Sequence, residues 1–265
     1  MANIIYQYWS GNPPKICEAS TANIKEYADR IGAVHKVEYN PSFSLPGGSS
    51  QYYGALRPIY DKEFHQYDKV LFLDMDIFAV DGLEENIFDQ DIEEFGICTE
   101  PHKIPIRKKR TSGISAAEDS RWDEHLYRHY GKRMPRDENG DIKIYNTGVV
   151  LYTNAGLRKA RDTFVTPAEY IRAVSGANLH GFYINTEQPY LHSQAAIHLK
   201  ITEMHNGWNS YIHWGEKKTE PRDITDTRTQ DTKFIHMQLR GHRDEDKDTY
   251  YRITNLPVNE WNLSK

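Results

Sequence analysis

The 265-residue sequence carries 33 Lys and Arg against 38 Asp and Glu, a formal charge of -5 at pH 7, so it has no cationic surplus with which to grip nucleic acid. Two cysteines, Cys17 and Cys98, are too few for a disulfide framework and fit a reducing compartment. No apolar run approaches the ~20 residues of a membrane span, and the opening MANIIYQYWSGNPP lacks the basic and long apolar regions of a signal peptide, which reads as a cytoplasmic protein with no transmembrane segment.

Asn3 to Tyr8 (NIIYQY) reads as a first strand, and Trp9 to Pro14 as the loop leaving it. Ser20 or Thr21 caps a helix to about Arg30, in which Ile24, Tyr27, Ala28 and Ile31 share an apolar face and Gly32 lies just past the end. Val34 to Tyr39 is a second strand, completing a βαβ unit whose ligands bind at the carboxyl ends of the strands. Asn40 to Ser50 is an irregular loop by its Pro, Gly and Ser content. Tyr52 to Phe64 is helical, with Pro58 bending it or sitting in a first turn; Arg57 on this segment faces the crevice or lies on the surface.

The chain is organised around Tyr67 to Val80, YDKVLFLDMDIFAV. Val70 to Leu73 form a continuous apolar run, the mark of a strand buried on both faces. Asp74 and Asp76 follow where the run ends. In a strand, residues i and i+2 point the same way, so the two carboxylates converge at its C-terminal end. Two converging negative charges call for a cation between them, and a divalent ion with oxygen ligands is the usual one; the plainer alternative is a surface turn with two solvated aspartates.

Glu94 to Thr99 reads as a further strand, and Lys103 to Arg110 (KIPIRKKR) as a solvated loop or a flap that meets an anion. Arg121 to Tyr130 has helical spacing, and Asp137 to Gly140 is a turn. Ile142 to Thr153 (IKIYNTGVVLYT) is a second apolar strand, interrupted by Asn146-Thr147-Gly148; a glycine there marks close approach of a ligand or another backbone. Asn154 caps a helix through Phe164. Ile184 to Leu191 carries Glu187 and Gln188, whose side chains point to opposite faces if the segment is extended, and Ile197 to Met204 is a strand. Phe234-Ile235 is a short apolar approach to His236, and Trp261 docks the charged tail.

The aspartate pair, the NTG strand, the Glu-Gln pair and the late histidine point to one chemistry. Two carboxylates and an imidazole with open positions for phosphate oxygens suit Mn²⁺ or Mg²⁺ on a diphosphate, where the ion acts as a Lewis acid for a departing nucleoside diphosphate. The segments YDKVLFLDMD, YNTGVVLYT, NTEQPYL, HNGWN and FIHMQLRGHR resemble the GT-A-fold glycosyltransferases, most like the glycogenin and lipopolysaccharide galactosyltransferase group. The resemblance implies an α/β, Rossmann-like GT-A fold: a mixed, mostly parallel central sheet flanked by helices. It implies one domain, with a nucleotide-binding half over about 1–100, an acceptor-binding half over about 101–245 and a tail over about 246–265. It also implies metal binding by Asp74 and Asp76 with His236 as a further ligand, a donor contact from Arg57, and a place near the sugar for Glu187 and Gln188. Where the family carries a Gly-x-Lys-Pro-Trp segment for the diphosphate, this chain has Gly241-His242-Arg243; where the family commonly has Asp, it has Glu187.

The expected activity is that of a hexosyl- or pentosyltransferase moving a sugar from a nucleoside diphosphate sugar to a hydroxyl of a carbohydrate or glycan acceptor. The nucleotide is expected over Tyr8, Trp9, Glu38 and Tyr39, the sugar toward Asn146, Thr147, Glu187 and Gln188, and the acceptor against Trp208 and Trp214. Glu187 or Glu100 is the candidate base of an inverting reaction, and Gln188 would lie beside the reacting carbon in a retaining one. Two other classes compete. One is a sugar-binding GT-A-like protein without turnover. The other is a haloacid-dehalogenase-like phosphatase, whose Asp-x-Asp normally opens the chain and is followed by Gly, unlike Ile77 and Phe78 here.

Overall fold

The structure, a computed structural model, describes residues 2–41, 51–215, 223–261 and 263; most of the loop read over Asn40 to Ser50 lies outside them. Strand β1 (Ile4–Trp9), helix α1 (Lys15–Ile31) and strand β2 (Val34–Tyr39) form the βαβ unit, with β1 and β2 parallel. Gly32 ends α1 in the left-handed conformation at φ 69°, its N–H bonded to Ala28 O, which a residue without Cβ adopts at no steric cost. The helix starts earlier than its sequence suggests, after Pro14. Ser20 is therefore not a cap: its hydroxyl donates to Ile77 O at 2.6 Å, while Asn23 exchanges two hydrogen bonds with Ala79. Ser20, read as a helix start, instead joins Asn23 in holding Ile77 and Ala79 against the helix.

The stretch expected as one helix before the aspartates is two 3-10 turns around the short α2 (Arg57–Tyr60), with Pro58 in its first turn, where a missing N–H costs nothing. The chain then runs through β3 (Lys69–Leu73) and β4 (Ile77–Ala79), β5 (Phe95–Thr99), and α3 (Lys103–Lys109), so the basic run is helical. After α4 (Ala116–Tyr130) comes β6 (Tyr145–Thr153), then α5 (Asn154–Thr163), α6 (Pro167–Ser175), α7 (Phe182–Asn185) and α8 (Glu187–His198). Strands β7 (Ile201–Glu203), β8 (Ser210–Gly215), β9 (Asp223–Asp226) and β10 (Phe234–Leu239) precede α9 (Lys247–Ile253).

Six strands form the central sheet in the order β2-β1-β3-β6-β5-β7, and only β6 runs against the rest. Alternate residues of β3 serve opposite cores: Val70 and Phe72 pack with Trp122, Tyr170 and Tyr190, and Leu71 and Leu73 with Ile24, Tyr27 and Trp208. Burial on both faces explains the unbroken apolar run, each such side chain contributing about 1.5–3 kcal/mol by leaving water. A second sheet, β4-β10-β8-β9, does not stand out in the sequence, because β4 has three residues and polar side chains interrupt β8, β9 and β10. The chain leaves the first sheet at Leu73 and enters the second at Ile77, so Asp74-Met75-Asp76 spans the junction of the two.

Candidate active site

Asp74 and Asp76 converge because of this junction rather than by strand alternation. The backbone turns there: Asp74 N–H donates to Gly148 O at 2.9 Å, Ile77 N–H to Asp74 O at 3.2 Å and Met237 N–H to Asp76 O at 2.8 Å. One aspartate is thus tied to β6 and the other to β10. Strand β10, antiparallel to β4 with His236 opposite Ile77, brings His236 Nε2 to 3.2 Å from Asp76 Oδ1 and 3.7 Å from Asp74 Oδ2.

The three side chains offer two carboxylate oxygens and an imidazole nitrogen within 4.8 Å of one another. Burial pushes the Asp74 carboxyl up to about 6; His236 opposes the shift and Asp76 adds to it. Burial works against charge on His236, yet Asp76 and Asp74 outweigh it and raise the imidazole above its usual range. Either a proton or a cation relieves this concentration of negative charge, and two carboxylates with an imidazole can hold a divalent metal ion.

These residues open on a cavity of about 420 Å³, a size that holds a small ligand. Tyr8, Trp9, Asn146 and Thr147 line it, as do Glu187 and Gln188. Glu187 and Gln188 are not extended: they begin α8 after Thr186, so their side chains diverge by a helical step. Thr147 Oγ1 donates to Glu187 Oε1 at 2.8 Å, and burial together with the Asp74 charge pushes the Glu187 carboxyl up to about 7. Gln188 Nε2 donates to Tyr145 O at 2.7 Å, which fixes the amide and leaves Oε1 as its remaining acceptor.

Between Ile97 and Cys98 the β5–β6 register jumps from Val150 to Asn146, so β6 bulges at the NTG triplet. Asn146 Oδ1 closes the bulge by accepting from Gly148 N–H at 2.8 Å. A bulge beside a site re-aims side chains, and Thr147 is aimed at Glu187.

Three expected donor contacts lie elsewhere. Arg57 pairs with Glu38 and donates to Asp61 Oδ2 at 3.0 Å through Nε, while Tyr6 Oη donates to Glu38 at 2.9 Å. The two charges neutralise each other beside the central sheet, and neither residue lines the cavity. Tyr39 is 43% exposed and also lies off the cavity. The tryptophans expected to stack on an acceptor are packed inside. Trp208 is 1% exposed, edge-on to Phe234, and Trp214 stacks on Trp261 at 5.5 Å. Glu100 is buried and does not line the cavity.

The cavity instead includes Tyr52, Phe182, Gln238 and Arg240, which the sequence did not mark, and Arg243 of the Gly241-His242-Arg243 segment. Gln238 lies two residues beyond His236, on the same face of β10, and its Nε2 is 3.3 Å from His236 Nε2. Arg243 sets its guanidinium over the Trp9 ring at 6.0 Å. The rule that ligands gather at carboxyl ends of strands, applied to β10, marks both arginines.

No family model matches the chain, and no curated protein matches it in sequence. Solved structures do resemble it. One is the galactosyltransferase LgtC in complex with donor and acceptor sugar analogues, at 13% identity over 97% of this chain and 98% of that one, TM-score 0.50. Another is the bifunctional glycosyltransferase WbbM in its apo form, at 14% identity over 79% of this chain and 40% of that one, TM-score 0.50. At such identity the likeness is one of fold. With its mixed, mostly parallel sheet and flanking helices, the chain has the GT-A fold of these glycosyltransferases.

Proposed function

We propose that the protein transfers a glycosyl group from a nucleoside diphosphate sugar to a hydroxyl of a carbohydrate acceptor, in a site centred on Asp74, Asp76 and His236. The observation that carries this reading is the convergence of these three side chains on the cavity that Glu187 and Gln188 also line. The donor and acceptor sugar analogues bound to the similarly folded LgtC agree with it. Bound there, Mn²⁺ or Mg²⁺ would supply Lewis-acid neutralisation of the diphosphate.

The chain's own groups account for the rest. Arg240 and Arg243 bring positive charge to the cavity, which suits phosphate oxygens. Tyr8 and Trp9 offer ring faces for the base. In the transfer, the acceptor oxygen bonds to the anomeric carbon as the bond from that carbon to the diphosphate breaks, and the acceptor proton passes to a base. Glu187, raised by burial above the usual carboxylate range and oriented by Thr147, is suited to take that proton.

The test is to incubate the protein with a panel of nucleoside diphosphate sugars and Mn²⁺ and measure release of nucleoside diphosphate, with and without glycan acceptors. Release stimulated by an acceptor is the expected result. Tight donor binding with no release would favour a sugar-binding protein, and phosphate release from simple phosphomonoesters would favour a phosphatase.

A further inference from the structure

Behind the Asp74, Asp76 and His236 cluster lies a buried polar network. Glu100, just past the end of β5, is 3% exposed. Its Oε1 accepts from Asn146 Nδ2 at 3.0 Å and from Lys103 Nζ at 2.6 Å, whereas Oε2 is buried with no partner among the described residues. A buried carboxylate with one oxygen unsatisfied is a poor choice for packing, where an apolar residue of similar volume is often as stable or more so. Packing alone therefore does not account for Glu100.

The amide of Asn146 carries this anchor to the site. Because Nδ2 is committed to Glu100, Oδ1 faces away from it, accepting from Gly148 N–H at 2.8 Å and from Asn209 Nδ2 at 2.9 Å. Gly148 then meets two of the three clustered residues: its carbonyl accepts from Asp74 N–H at 2.9 Å, and its Cα packs where a Cβ would collide with the His236 ring.

We propose that Glu100 is a positioning residue for the candidate metal centre, holding the Asn146 amide in one orientation and so fixing the β6 bulge against which Asp74 and His236 are set. The inference rests on the metal-centred reading given above. Lys103 balances the charge of Glu100, so its contribution is the direction of a hydrogen bond rather than a negative potential.

Two variants separate these contributions. Glu100→Gln keeps reach and an oxygen acceptor but loses charge; Glu100→Asp keeps charge but is one methylene short of Asn146. Mn²⁺ affinity is measured by electron paramagnetic resonance, and the ring ¹⁵N resonances of His236 by NMR on metal-free protein, with Lys103→Met as a control that disrupts the ion pair without touching Asn146. The expected result is Mn²⁺ affinity within about twofold of the parent for Glu100→Gln and about tenfold weaker for Glu100→Asp, the size of a lost outer-shell contact, with His236 resonances shifted in Glu100→Asp alone. The reverse order, two variants that match the parent, or an equal effect of Lys103→Met would each overturn the proposal. If the parent binds no Mn²⁺, the metal-centred reading fails by itself and the resonances decide: a shift confined to Glu100→Asp upholds the positioning role, and any other pattern ends it.

Discussion

A Cβ placed on Gly148 would lie 2.6 Å from Cε1 of His236 and 2.7 Å from its Nδ1, so the glycine in β6 is where the central sheet makes room for an imidazole from the second sheet. Gly148→Ala should push the ring out of line with Asp76 and weaken Mn²⁺ binding by tenfold or more, while overpacking costs about 1–3 kcal/mol of stability. Calorimetric metal titration beside urea unfolding checks both. Unchanged metal affinity in a destabilised variant would mean that His236 is not a ligand.

Metal dependence follows from the same cluster. Because Asp74, Asp76 and His236 bring their ligand atoms within 4.8 Å, chelation should abolish donor turnover and Mn²⁺ should restore it. Asp76→Asn should raise the Mn²⁺ concentration needed for half-maximal turnover, since it removes one of the two charges that hold the ion. Full turnover in excess chelator would sink the metal-centred reading.

Much of the fold was legible because burial writes itself into composition. The run at Val70 to Leu73 is apolar on both faces because each face meets its own core, and Gly32 marks the end of α1 by its left-handed backbone. The second sheet was not legible: β4 has only three residues, and in β10 His236 and Gln238 break the apolar run after Phe234-Ile235. Within the site, Asp74, Asp76 and His236 could be picked by residue type, but Arg57 and Glu38 could not be separated from it, since nothing in sequence shows that two opposite charges neutralise each other. Trp208 and Trp214 mislead for a related reason, because a ring that stacks on a sugar and one that stacks on Phe234 or Trp261 have the same composition.

Arg240 and Arg243 line the cavity beyond β10, where they can meet a diphosphate. Arg243→Ala should raise the donor KM by about tenfold with a smaller change in kcat, the pattern of lost binding shared by ground and transition states. It should also loosen Trp9, over whose ring Arg243 lies, which tryptophan fluorescence on donor titration reads out. A lowered kcat at constant KM would place Arg243 in transition-state stabilisation instead.

The carboxyl of Glu187 sets a pH dependence with two opposite signs. As a base it must be ionised, so kcat/KM should rise with pH through the Glu187 pKa, which burial holds above the usual carboxylate range. Its effect on stability runs the other way. With a folded pKa raised from 4.5 to about 7, the folded protein keeps a proton that the unfolded chain has lost; this contribution is full below 4.5 and disappears as pH rises through about 7. Urea unfolding of metal-free parent and Glu187→Gln at pH 5 and pH 8 isolates it from other titrating groups, and the parent should lose more stability than the variant over that interval.

The last prediction divides the work between Glu187 and Gln188, which start α8 side by side but are held by different partners. Glu187 receives a hydrogen bond from Thr147 and can still accept a proton, whereas Gln188 is tied through Nε2 to Tyr145 O and can only present a neutral oxygen. If Glu187 is the base, Glu187→Gln preserves shape and donor affinity but cuts kcat by roughly a hundredfold or more, as for loss of a positioned base. Thr147→Val should cost less, since it removes the orienting hydroxyl and leaves the carboxylate. Gln188→Ala should cost less than Glu187→Gln and appear partly in stability, because the bond to Tyr145 O anchors the start of α8 to β6. Steady-state kinetics on the three variants with one donor and acceptor pair decide the matter. A Glu187→Gln enzyme with near-normal kcat beside a nearly inactive Gln188→Ala enzyme would move the chemistry to the amide oxygen of Gln188, beside the reacting carbon, and favour retention of the anomeric configuration.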